Sequence, residues 1–230
     1  MSGMTLSIIV PVLDEAAGIE AALTALSPYR TRGTELIVVD GGSCDGTLAL
    51  ARPLADHVLT APRGRAAQMN AGASAARGNV LLFLHADTRL PAYADALVCD
   101  SLARTGRVWG RFNVRFDQGG FMPVIAFMMN MRSRLTGIAT GDQAIFVTRA
   151  AFDAVGGFPS QPLMEDIALS ARIRRITRAA HIRACVTTSA RRWRKQGILR
   201  TVLLMWRMRL AYFLGTDPAH LARQYGYADR

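Results

Sequence analysis

Acidic side chains follow three apolar runs in the first half of the chain, at the points where buried strands would end. Asp14 and Glu15 follow the first run, Asp40 ends the second, and Asp87 follows the third, two residues after His85. Ligands of open α/β sheets bind beyond the carboxyl ends of the strands, so we expect these acids at one edge. Clustered carboxylates repel each other unless a cation or hydrogen-bond donors balance them. The pattern therefore predicts a divalent metal, a ribose and base, or both.

The elements that must position these acids alternate along the chain. Short β-branched runs are typical of buried strands and the Ala-rich stretches between them of helices, which predicts an α/β fold with helices on both faces of a mostly parallel sheet. The predicted strands are Leu6–Val12, Glu35–Asp40, Asn79–His85, Arg107–Phe116, Ala144–Thr148 and His181–Ser189. The predicted helices are Ala16–Leu26, Thr47–Pro53, Ala66–Arg77, Phe121–Leu135, Leu163–Ile176 and Lys195–Leu214.

The composition is typical of one globular domain. The chain has 230 residues, of which 50% are apolar, and this excludes disordered, collagen-like and low-complexity proteins. Cys44, Cys99 and Cys185 are scattered, which argues against a disulfide framework and a structural zinc site. The N-terminus is typical of a strand rather than a signal peptide, and no apolar stretch reaches the roughly 18 residues of a spanning helix. A cytoplasmic protein is therefore expected.

Basic residues are concentrated in the second half of the chain. The net charge is +11, and between Ile167 and Thr216 there are 12 basic residues and no acidic one. Such a block implies an anionic partner, namely a nucleic acid, an acidic lipid or a phosphorylated substrate. The block matches no helix-turn-helix, RRM or finger pattern, so we predict no nucleic-acid partner.

Five segments of the chain have an order and spacing that are typical of one enzyme family. They are SIIVPVLDE from Ser7, VVDGGSCDGT from Val38, GRAAQMNAG from Gly64, LFLHADT from Leu82 and MED from Met164. Together they resemble family 2 glycosyltransferases of the GT-A fold, and most closely a small bacterial subgroup named for arsenosugar biosynthesis. The resemblance implies a single domain with a Rossmann-like sheet. Its parts would be a nucleotide-binding half at 1–115, an acceptor and catalytic half at 116–193 and a helical segment at 194–230.

The resemblance assigns a nucleotide pocket to the first half of the chain. The residues that it implies there are Pro11, Asp14, Glu15, Asp40, Gly42, Arg65, Asn70, Ala86 and Asp87. Glu15 is expected near the ribose and Asp40 on the base, whereas Asp45 would brace the turn that follows. Arg65 and Asn70 are expected over the nucleotide, with Arg65 on a phosphate. The expected donor is a nucleoside diphosphate sugar, in particular a UDP-sugar.

The resemblance also implies a divalent cation, Mg²⁺ or Mn²⁺, that Asp87 holds against the two phosphates of the donor. Many relatives carry an acid at the position of His85, so this chain has His-x-Asp where they have two acids. One carboxylate makes a weaker site for a hard cation than a pair, although phosphate oxygens and waters can complete the octahedron. His85 is therefore either a second ligand or a strand-end histidine bonded to backbone.

Inverting sugar transfer needs a base on the face of the sugar opposite the leaving group. The resemblance places that base at Asp166, the second acid of Met164-Glu165-Asp166, with Glu165 beside it. The two acids open a predicted helix after Pro159 and Pro162, and a helix N-terminus favours ionised carboxylates. The alternative is that both acids only complement the helix dipole.

A polar triplet and a Met-rich stretch are candidates for contacting the acceptor. Gly141, Asp142 and Gln143 precede an apolar run, where the acid and the amide could hold acceptor hydroxyls or orient the base. The alternative is a turn that only leads into a strand. The Met-rich stretch Phe121–Met131 could form an adaptable lid over the acceptor.

A basic and aromatic motif, Arg191-Arg192-Trp193, follows the last predicted strand. Arg192 could pair with the diphosphate, since a guanidinium fork suits phosphate oxygens, and Trp193 could stack on an acceptor ring. Processive relatives carry a Gln at the position of Ser189, so its absence argues against a polymer-extending synthase.

The last predicted helix, within 197–215, is apolar around most of its circumference but carries Arg200, Arg207 and Arg209. It is too charged and too short to span a bilayer. It packs either on the sheet or on a second copy in a homodimer, or it lies on an anionic membrane surface as an amphipathic helix.

These residues and the resemblance predict an inverting, metal-dependent glycosyltransferase that moves a sugar from a UDP-sugar to a small-molecule acceptor. Two alternatives stay open. One is transfer to a lipid phosphate by a protein at the periphery of the inner membrane, and the other is a non-catalytic protein that binds nucleotide sugars.

Overall fold

A computed structural model describes residues 3–225, apart from the side chains of residues 192, 195 and 196. The described chain forms one sheet of eight strands. The strands are β1 Leu6–Val12, β2 Glu35–Asp40, β3 His57–Thr60, β4 Val80–Phe83, β5 Thr88–Arg89, β6 Trp109–Phe116, β7 Phe146–Thr148 and β8 Ala180–Thr188. Their spatial order is β3-β2-β1-β4-β7-β6-β8-β5.

The strands of the first half pair in parallel around β1. Val12 of β1 lies opposite Asp40 of β2, and Ile9 of β1 lies opposite Phe83 of β4. Every residue of β1 is buried, because strands lie on both sides of it and helices cover both faces of the sheet. This burial explains the continuous apolar run of β1. The carboxyl ends of β1, β2 and β4 therefore reach the same edge of the sheet.

Strand β7 connects the second half to the first, since it pairs antiparallel with β4, with Phe146 opposite Leu82. Strand β6 runs antiparallel to β7 and parallel to β8, while the short β5 runs antiparallel to β8. The predicted α/β class is confirmed, and the parallel core lies where the apolar runs placed it. The second half is a mixture of directions, which apolar periodicity does not reveal.

The helices of the described chain lie between and after these strands. They are α1 Ile19–Thr24, α2 Ser27–Thr31, α3 Thr47–Ala51, α4 Arg65–Ala75, α5 Ala94–Thr105, α6 Met122–Thr136, α7 Arg149–Ala154, α8 Glu165–Ile173, α9 Arg191–Gln196, α10 Ile198–Phe213 and α11 Pro218–Gln224. Short 3₁₀ turns occupy Arg52–Leu54 and Gly141–Gln143. The helix predicted over 195–214 is divided into α9 and α10, because Gly197 between them has a φ of +81°.

The core is divided between the two faces of the sheet by the alternation of side chains along β1. Ile8 belongs to a cluster that contains Leu23 of α1 and Val98 of α5. Its neighbour Ile9 belongs to a second cluster with Met69 of α4. Helices therefore cover both faces of the sheet, as predicted.

The C-terminal helices pack on the rest of the protein through one face only. Met208 of α10 is fully buried and shares a cluster with Ile167 of α8 and Leu221 of α11. On the opposite side of α10, Trp206 is 59% exposed. Within the described residues, every helix is too short or too polar to cross a membrane.

Candidate active site

The loops that follow β1 and β2 are tied to each other by Asp14. Asp14 has a φ of +51°. Its backbone N–H donates to Ser43 Oγ at 2.9 Å, and its Oδ1 accepts from Cys44 N at 2.8 Å. Asp45 fixes the same turn, since its carboxylate accepts from the backbone N–H groups of Thr47 and Ala16. The hydrogen bonds from Thr47 hold the pKa of Asp45 below its ordinary value.

The Asp40 carboxylate is engaged by its own turn. The residue is buried, and its carboxylate accepts hydrogen bonds from Gly42 N and Ser43 N, each at 2.9 Å, and from Ser43 Oγ. Asp40, Asp14 and Gly42 line neither of the two cavities described below. The contact predicted between Asp40 and a nucleotide base therefore stays a prediction.

Gln68 of α4 holds the ends of β1 and β2 together, and the sequence reasoning assigned it no role. Its Nε2 donates to the carbonyl oxygens of Val12 and Val39, both at 2.8 Å, and the side chain is buried. A Cβ added at Gly41 would lie 3.0 Å from the Gln68 amide carbon, so the turn passes close to this side chain. The GRAAQMNAG segment was the available signal, since Gln68 lies within it.

A cavity of about 440 Å³ brings together acidic, basic and aromatic side chains from both halves of the chain. Nine residues of the predicted site line it, namely Glu15, Arg65, His85, Asp87, Gly141, Asp142, Glu165, Asp166 and Trp193. We call this space the acid cavity. The loops after β1 and β4 and the start of α4 supply its first-half residues, and α8 and the 3₁₀ turn at Gly141–Gln143 supply the acids of the second half.

A second cavity of about 580 Å³ lies beside the start of α4, and we call it the α4 cavity. Pro11 of the predicted nucleotide pocket lines it, together with Arg63, Gly64 and Gln68. Glu15 and Arg65 line both cavities. Each volume falls within the range of about 300–1,000 Å³ that is usual for small-molecule sites.

Asp87 and His85 lie in the acid cavity, where a cation was predicted. Asp87 is exposed, and Thr88 Oγ1 lies 3.4 Å from its Oδ1. His85 Nδ1 lies 3.4 Å from Asp142 Oδ1, so its ring faces a side chain rather than the backbone acceptor of the alternative interpretation. Among the residues that the structure describes, no group of three or more His, Cys, Asp or Glu side chains could hold a metal. One carboxylate and one imidazole fit a cation that takes its other ligands from phosphate and water.

Glu165 and Asp166 open α8 and line the acid cavity in different surroundings. Glu165 is buried, and desolvation together with the charge of Asp166 raises its pKa from 4.5 to about 7, although Arg65 opposes the shift. Asp166 is half-buried, and its Oδ2 accepts from Gly141 N at 2.8 Å. Its Oδ1 accepts from Ile167 N at 2.7 Å. The acid pair is thereby fixed to the turn that precedes β7.

Two arginines beside the acid cavity were not among the predicted site residues. Burial lowers the pKa of Arg132 to about 10 and also lowers the pKa of Arg209, whereas the charges of Asp166 and Asp142 raise both. Arg209 lines the cavity from α10. Sequence reasoning noted Arg209 only as one of the charges on the last helix and assigned Arg132 no role, because no motif of the family pointed to either residue.

Arg191 is a third cavity residue that the prediction passed over in favour of its neighbour. Its Nη2 lies 3.6 Å from Glu15 Oε1. Burial raises the pKa of Glu15, and Arg191 opposes that shift. The side chain of Arg192 lies outside the described part of the chain, and its predicted contact with diphosphate stays a prediction. Trp193 packs edge to face on Phe116, with 5.7 Å between the ring centroids.

Three other predicted site residues lie away from both cavities. Asn70 donates to Phe158 O at 2.9 Å and accepts from Phe158 N at 3.0 Å, so its amide braces the turn that leads towards α8. Gln143 is fully buried, and its amide contacts Asn130 Oδ1 and Thr140 N. Ala86 packs against the core cluster that contains Ile8. Asn70 therefore lines neither of the two cavities, and Gln143 is buried away from the acceptor position that was expected for it.

Part of the chain is similar in sequence to curated mycobacterial glycosyltransferases. Two glycosyltransferases of PGL/p-HBAD biosynthesis, from Mycobacterium bovis (strain BCG / Pasteur 1173P2) and Mycobacterium tuberculosis (strain ATCC 25177 / H37Ra), are each 34% identical over 117 residues. The match covers 48% of this chain and 43% of each relative, so the chain spans less than half of their length. These names lend no support to the predicted arsenosugar subgroup.

Solved structures show the same fold at low sequence identity. A mannosyltransferase from Pyrobaculum calidifontis in complex with GDP-Man and Mn²⁺ has a TM-score of 0.65 and 22% identity, covering 92% of this chain and 62% of that one. Glucosyl-3-phosphoglycerate synthase from Mycobacterium tuberculosis, with Mn²⁺ and UDP, has a TM-score of 0.60 and 20% identity, covering 81% and 71%. The fold is that of GT-A glycosyltransferases, as the resemblance implied.

The family model described as Glycosyl transferase family 2 matches residues 7–155, which is more than half of the chain. That range begins at β1 and includes the turn after β2, the start of α4, and both His85 and Asp87. The chain belongs to glycosyltransferase family 2.

Proposed function

We propose that this protein is an inverting glycosyltransferase that takes its sugar from a UDP-sugar and transfers it to a small-molecule acceptor. The observation that carries the proposal is the acid cavity, in which Asp87 and Arg65 of the first half face Glu165 and Asp166 of the second. Cation-binding, phosphate-binding and proton-accepting groups are thereby gathered within one space of about 440 Å³. Family membership and the GT-A neighbours support the same reaction class.

The donor is proposed to lie across the two cavities, with its nucleoside in the α4 cavity and its diphosphate near Arg65. Pro11 and Glu15 line the nucleoside side, and Arg65 lines both cavities. A guanidinium group suits phosphate oxygens, because its planar donors can form two parallel hydrogen bonds. The neighbours that contain UDP or GDP-Man support a nucleoside diphosphate donor.

Asp87 and His85 are the residues that would hold a Mg²⁺ or Mn²⁺ ion. Bound there, the ion would neutralise charge on the departing nucleoside diphosphate. Arg191 and Arg65 line the same cavity and add positive charge that would stabilise the departing diphosphate.

Asp166 is proposed as the base that takes the proton from the acceptor hydroxyl. Its carboxylate lines the acid cavity, and the bond from Gly141 N keeps it in one orientation. Glu165 beside it holds its proton more tightly than an ordinary carboxyl, because it is buried next to the Asp166 charge. This leaves Asp166 as the more exposed acceptor of the pair. Asp142 and Trp193 line the same cavity and are proposed to contact the acceptor.

A thermal-shift panel of UDP, GDP, CDP and TDP, each with and without Mn²⁺, tests the proposal. A nucleotide at 100 times its Kd stabilises a protein by about 2.7 kcal/mol, which is roughly 5–10 °C in Tm for a chain of this size. We expect such a shift for UDP, and we expect Asp87→Ala to remove its dependence on Mn²⁺. If none of the four nucleotides raises the Tm, the proposal is contradicted. If Mn²⁺ changes the UDP shift of Asp87→Ala as much as that of the wild type, the metal assignment is overturned.

A further inference from the structure

Helix α10 leaves a continuous apolar stripe exposed on the side away from the core. Leu199, Leu203, Trp206, Leu210 and Phe213 are all exposed, and they follow one another at intervals of three and four residues. Residues at these intervals share one helix face, so the five side chains form a single stripe along the whole helix. The buried Met208 lies on the opposite face. Trp206 and Leu210 are 59% and 61% exposed, which is unusual for such large apolar side chains.

Helix α6 packs beside α10 and adds exposed apolar side chains of its own. Met122 and Ile125 of α6 share a buried cluster against which Val202 of α10 and Trp193 of α9 pack. The exposed apolar side chains of α6, together with that of the residue just before it, are Phe121, Val124, Phe127, Met128, Met131 and Leu135. We call the exposed apolar residues of α6 and α10 the α6–α10 surface. Single exposed apolar residues are normal on a protein surface, whereas here many lie together on two neighbouring helices.

The charged residues of α6 and α10 are of one sign. Arg200 and Arg207, seven residues apart, lie on one flank of the α10 stripe, and both are exposed. Arg134 of α6 and Arg194 of α9 are exposed as well. The sequence contains no acidic residue between positions 118 and 141 or between positions 167 and 216, and these ranges include both helices. An apolar stripe with arginines beside it complements a bilayer that has anionic headgroups above an apolar interior.

The acid cavity adjoins this surface through α10 itself. Met205 and Arg209 of α10 line the cavity, as does Trp193 of α9, while Trp206 and Leu210 on the same helix face outwards. One helix therefore contributes both to the wall of the acid cavity and to the exposed apolar stripe.

We propose that the α6–α10 surface docks on an anionic membrane, so that α10 brings the acid cavity to the membrane surface. This docking does not rest on the proposed glycosyltransferase function. The docked helix would lie in the plane of the interface, with Trp206 among the headgroups and the arginines on lipid phosphates.

Vesicle sedimentation tests the docking directly. The probes are phosphatidylcholine vesicles with and without phosphatidylglycerol, at low and high salt. We expect binding to the anionic vesicles at low salt and its loss at high salt, because screening weakens the contribution of the arginines. The emission of Trp206 should shift to the blue on binding, since Trp109 is already buried and Trp193 already packs on Phe116. Trp206→Phe should still sediment but show a much smaller shift.

Two pairs of matched variants separate apolar from charged contributions. Leu203→Gln/Leu210→Gln should weaken vesicle binding at least tenfold, whereas Met4→Gln/Ile176→Gln, at exposed apolar positions elsewhere, should not. Arg200→Gln/Arg207→Gln should weaken binding by about 25-fold, at about fivefold for each arginine near the surface. Arg52→Gln/Arg104→Gln removes the same charge from exposed positions outside α6 and α10. This control should bind vesicles more tightly than Arg200→Gln/Arg207→Gln.

Other results would overturn the docking proposal. They are a protein that stays in the supernatant with every vesicle, equal losses in test and control variants, or a vesicle-independent dimer that Leu203→Gln/Leu210→Gln dissociates. The last result would assign the surface to a second copy. Nucleotide-induced thermal shifts measured without vesicles report on the proposed function alone. Docking without a nucleotide shift would contradict only that function, and a nucleotide shift without docking would contradict only the membrane proposal.

Discussion

Glu165 and Asp166 are neighbours in the chain, yet their carboxyls meet different surroundings. Glu165 is buried beside a like charge, and Asp166 accepts from Gly141 N at the wall of the acid cavity. At the residue scale, function is therefore decided by what each side chain contacts rather than by its type. The same holds for Asp40, whose carboxylate is engaged by Gly42 and Ser43.

Asp166→Asn should lower turnover of the UDP-sugar by about 10²-fold or more, because the amide cannot accept the acceptor's proton. The nucleotide affinity should stay unchanged, since the donor is proposed to bind near Arg65 and in the α4 cavity rather than at Asp166. Turnover measured as UDP release, together with UDP affinity from thermal shifts, checks both halves of the expectation. Asp153→Asn serves as a control, and wild-type turnover in Asp166→Asn would remove the residue from the base role.

Glu165→Gln should change how stability depends on pH. Because the pKa of Glu165 rises from 4.5 to about 7 on folding, the folded state holds this proton more tightly than the unfolded state. The free energy of unfolding therefore falls as pH rises through that window, and Gln removes this loss. In EDTA, we expect the variant to gain stability relative to the wild type between pH 5 and pH 8. An equal difference at both pH values would contradict the assigned surroundings of Glu165.

Of the acids that the sequence predicted for the site, those that follow β4 and open α8 line the acid cavity, because strand ends and the Met164-Glu165-Asp166 motif are local signals. Asp14 and Asp40 line neither cavity. Sequence reasoning could not place Asn70 or Gln143. Asn70 bonds to Phe158, 88 positions away, and Gln143 contacts Asn130 inside the protein. The direction of a polar side chain depends on partners that only the packed chain supplies, and the same is true of Arg209 in the cavity.

At the scale of elements, continuous apolar runs predicted strands closely. The predicted bounds of β1 and β2 match the structure, because both strands are buried and β-branched. Strand β3 was missed because its four residues are only partly buried and its apolar signal is short. Helix α11 was missed because its sequence has no strong helical pattern. Packing fixes its position instead, since Leu221 is buried in one cluster with Met208 of α10.

The 3₁₀ turn at Gly141–Gln143 depends on a close approach to His85. A Cβ at Gly141 would lie 2.4 Å from the His85 ring, so Gly141→Ala must displace either the ring or the turn that holds Asp166. We expect a loss of about 1–3 kcal/mol in the free energy of unfolding and a drop in turnover. Gly18→Ala, with open space around the added carbon, is the matched control.

Combining Gly141→Ala with His85→Ala should recover part of the lost stability, because the smaller side chain makes room for the added methyl. Chemical denaturation of the two single variants and the double variant measures this coupling. Strictly additive losses would show that the strain arises elsewhere in the turn.

At the scale of the whole molecule, one sheet runs through both halves of the chain. Phe146 of β7 lies opposite Leu82 of β4, and its ring packs 5.8 Å from that of Phe112 in β6. The prediction of a single domain therefore has a physical test in the cooperativity of unfolding. The mixed strand directions of the second half were beyond the sequence signal, which records burial but not direction.

Phe146→Ala should lower the free energy of unfolding by about 3–5 kcal/mol, because it leaves a cavity where the two halves of the sheet meet. Circular dichroism and tryptophan fluorescence should report one coincident transition that moves as a unit. Ile176→Ala, at a position that is 47% exposed, should shift it little. Two separate transitions, of which only one moves, would divide the chain into two domains.

Glu15 and Arg65 line both the α4 cavity and the acid cavity. A ligand that fills the first cavity and contacts these two side chains also sets the charges that the second cavity presents. A donor bound in the α4 cavity would thus change the charges that an acceptor meets in the acid cavity. We therefore expect an obligatory order of addition in which the donor binds first. In steady-state kinetics, the nucleoside diphosphate product would then inhibit competitively against the donor and not against the acceptor.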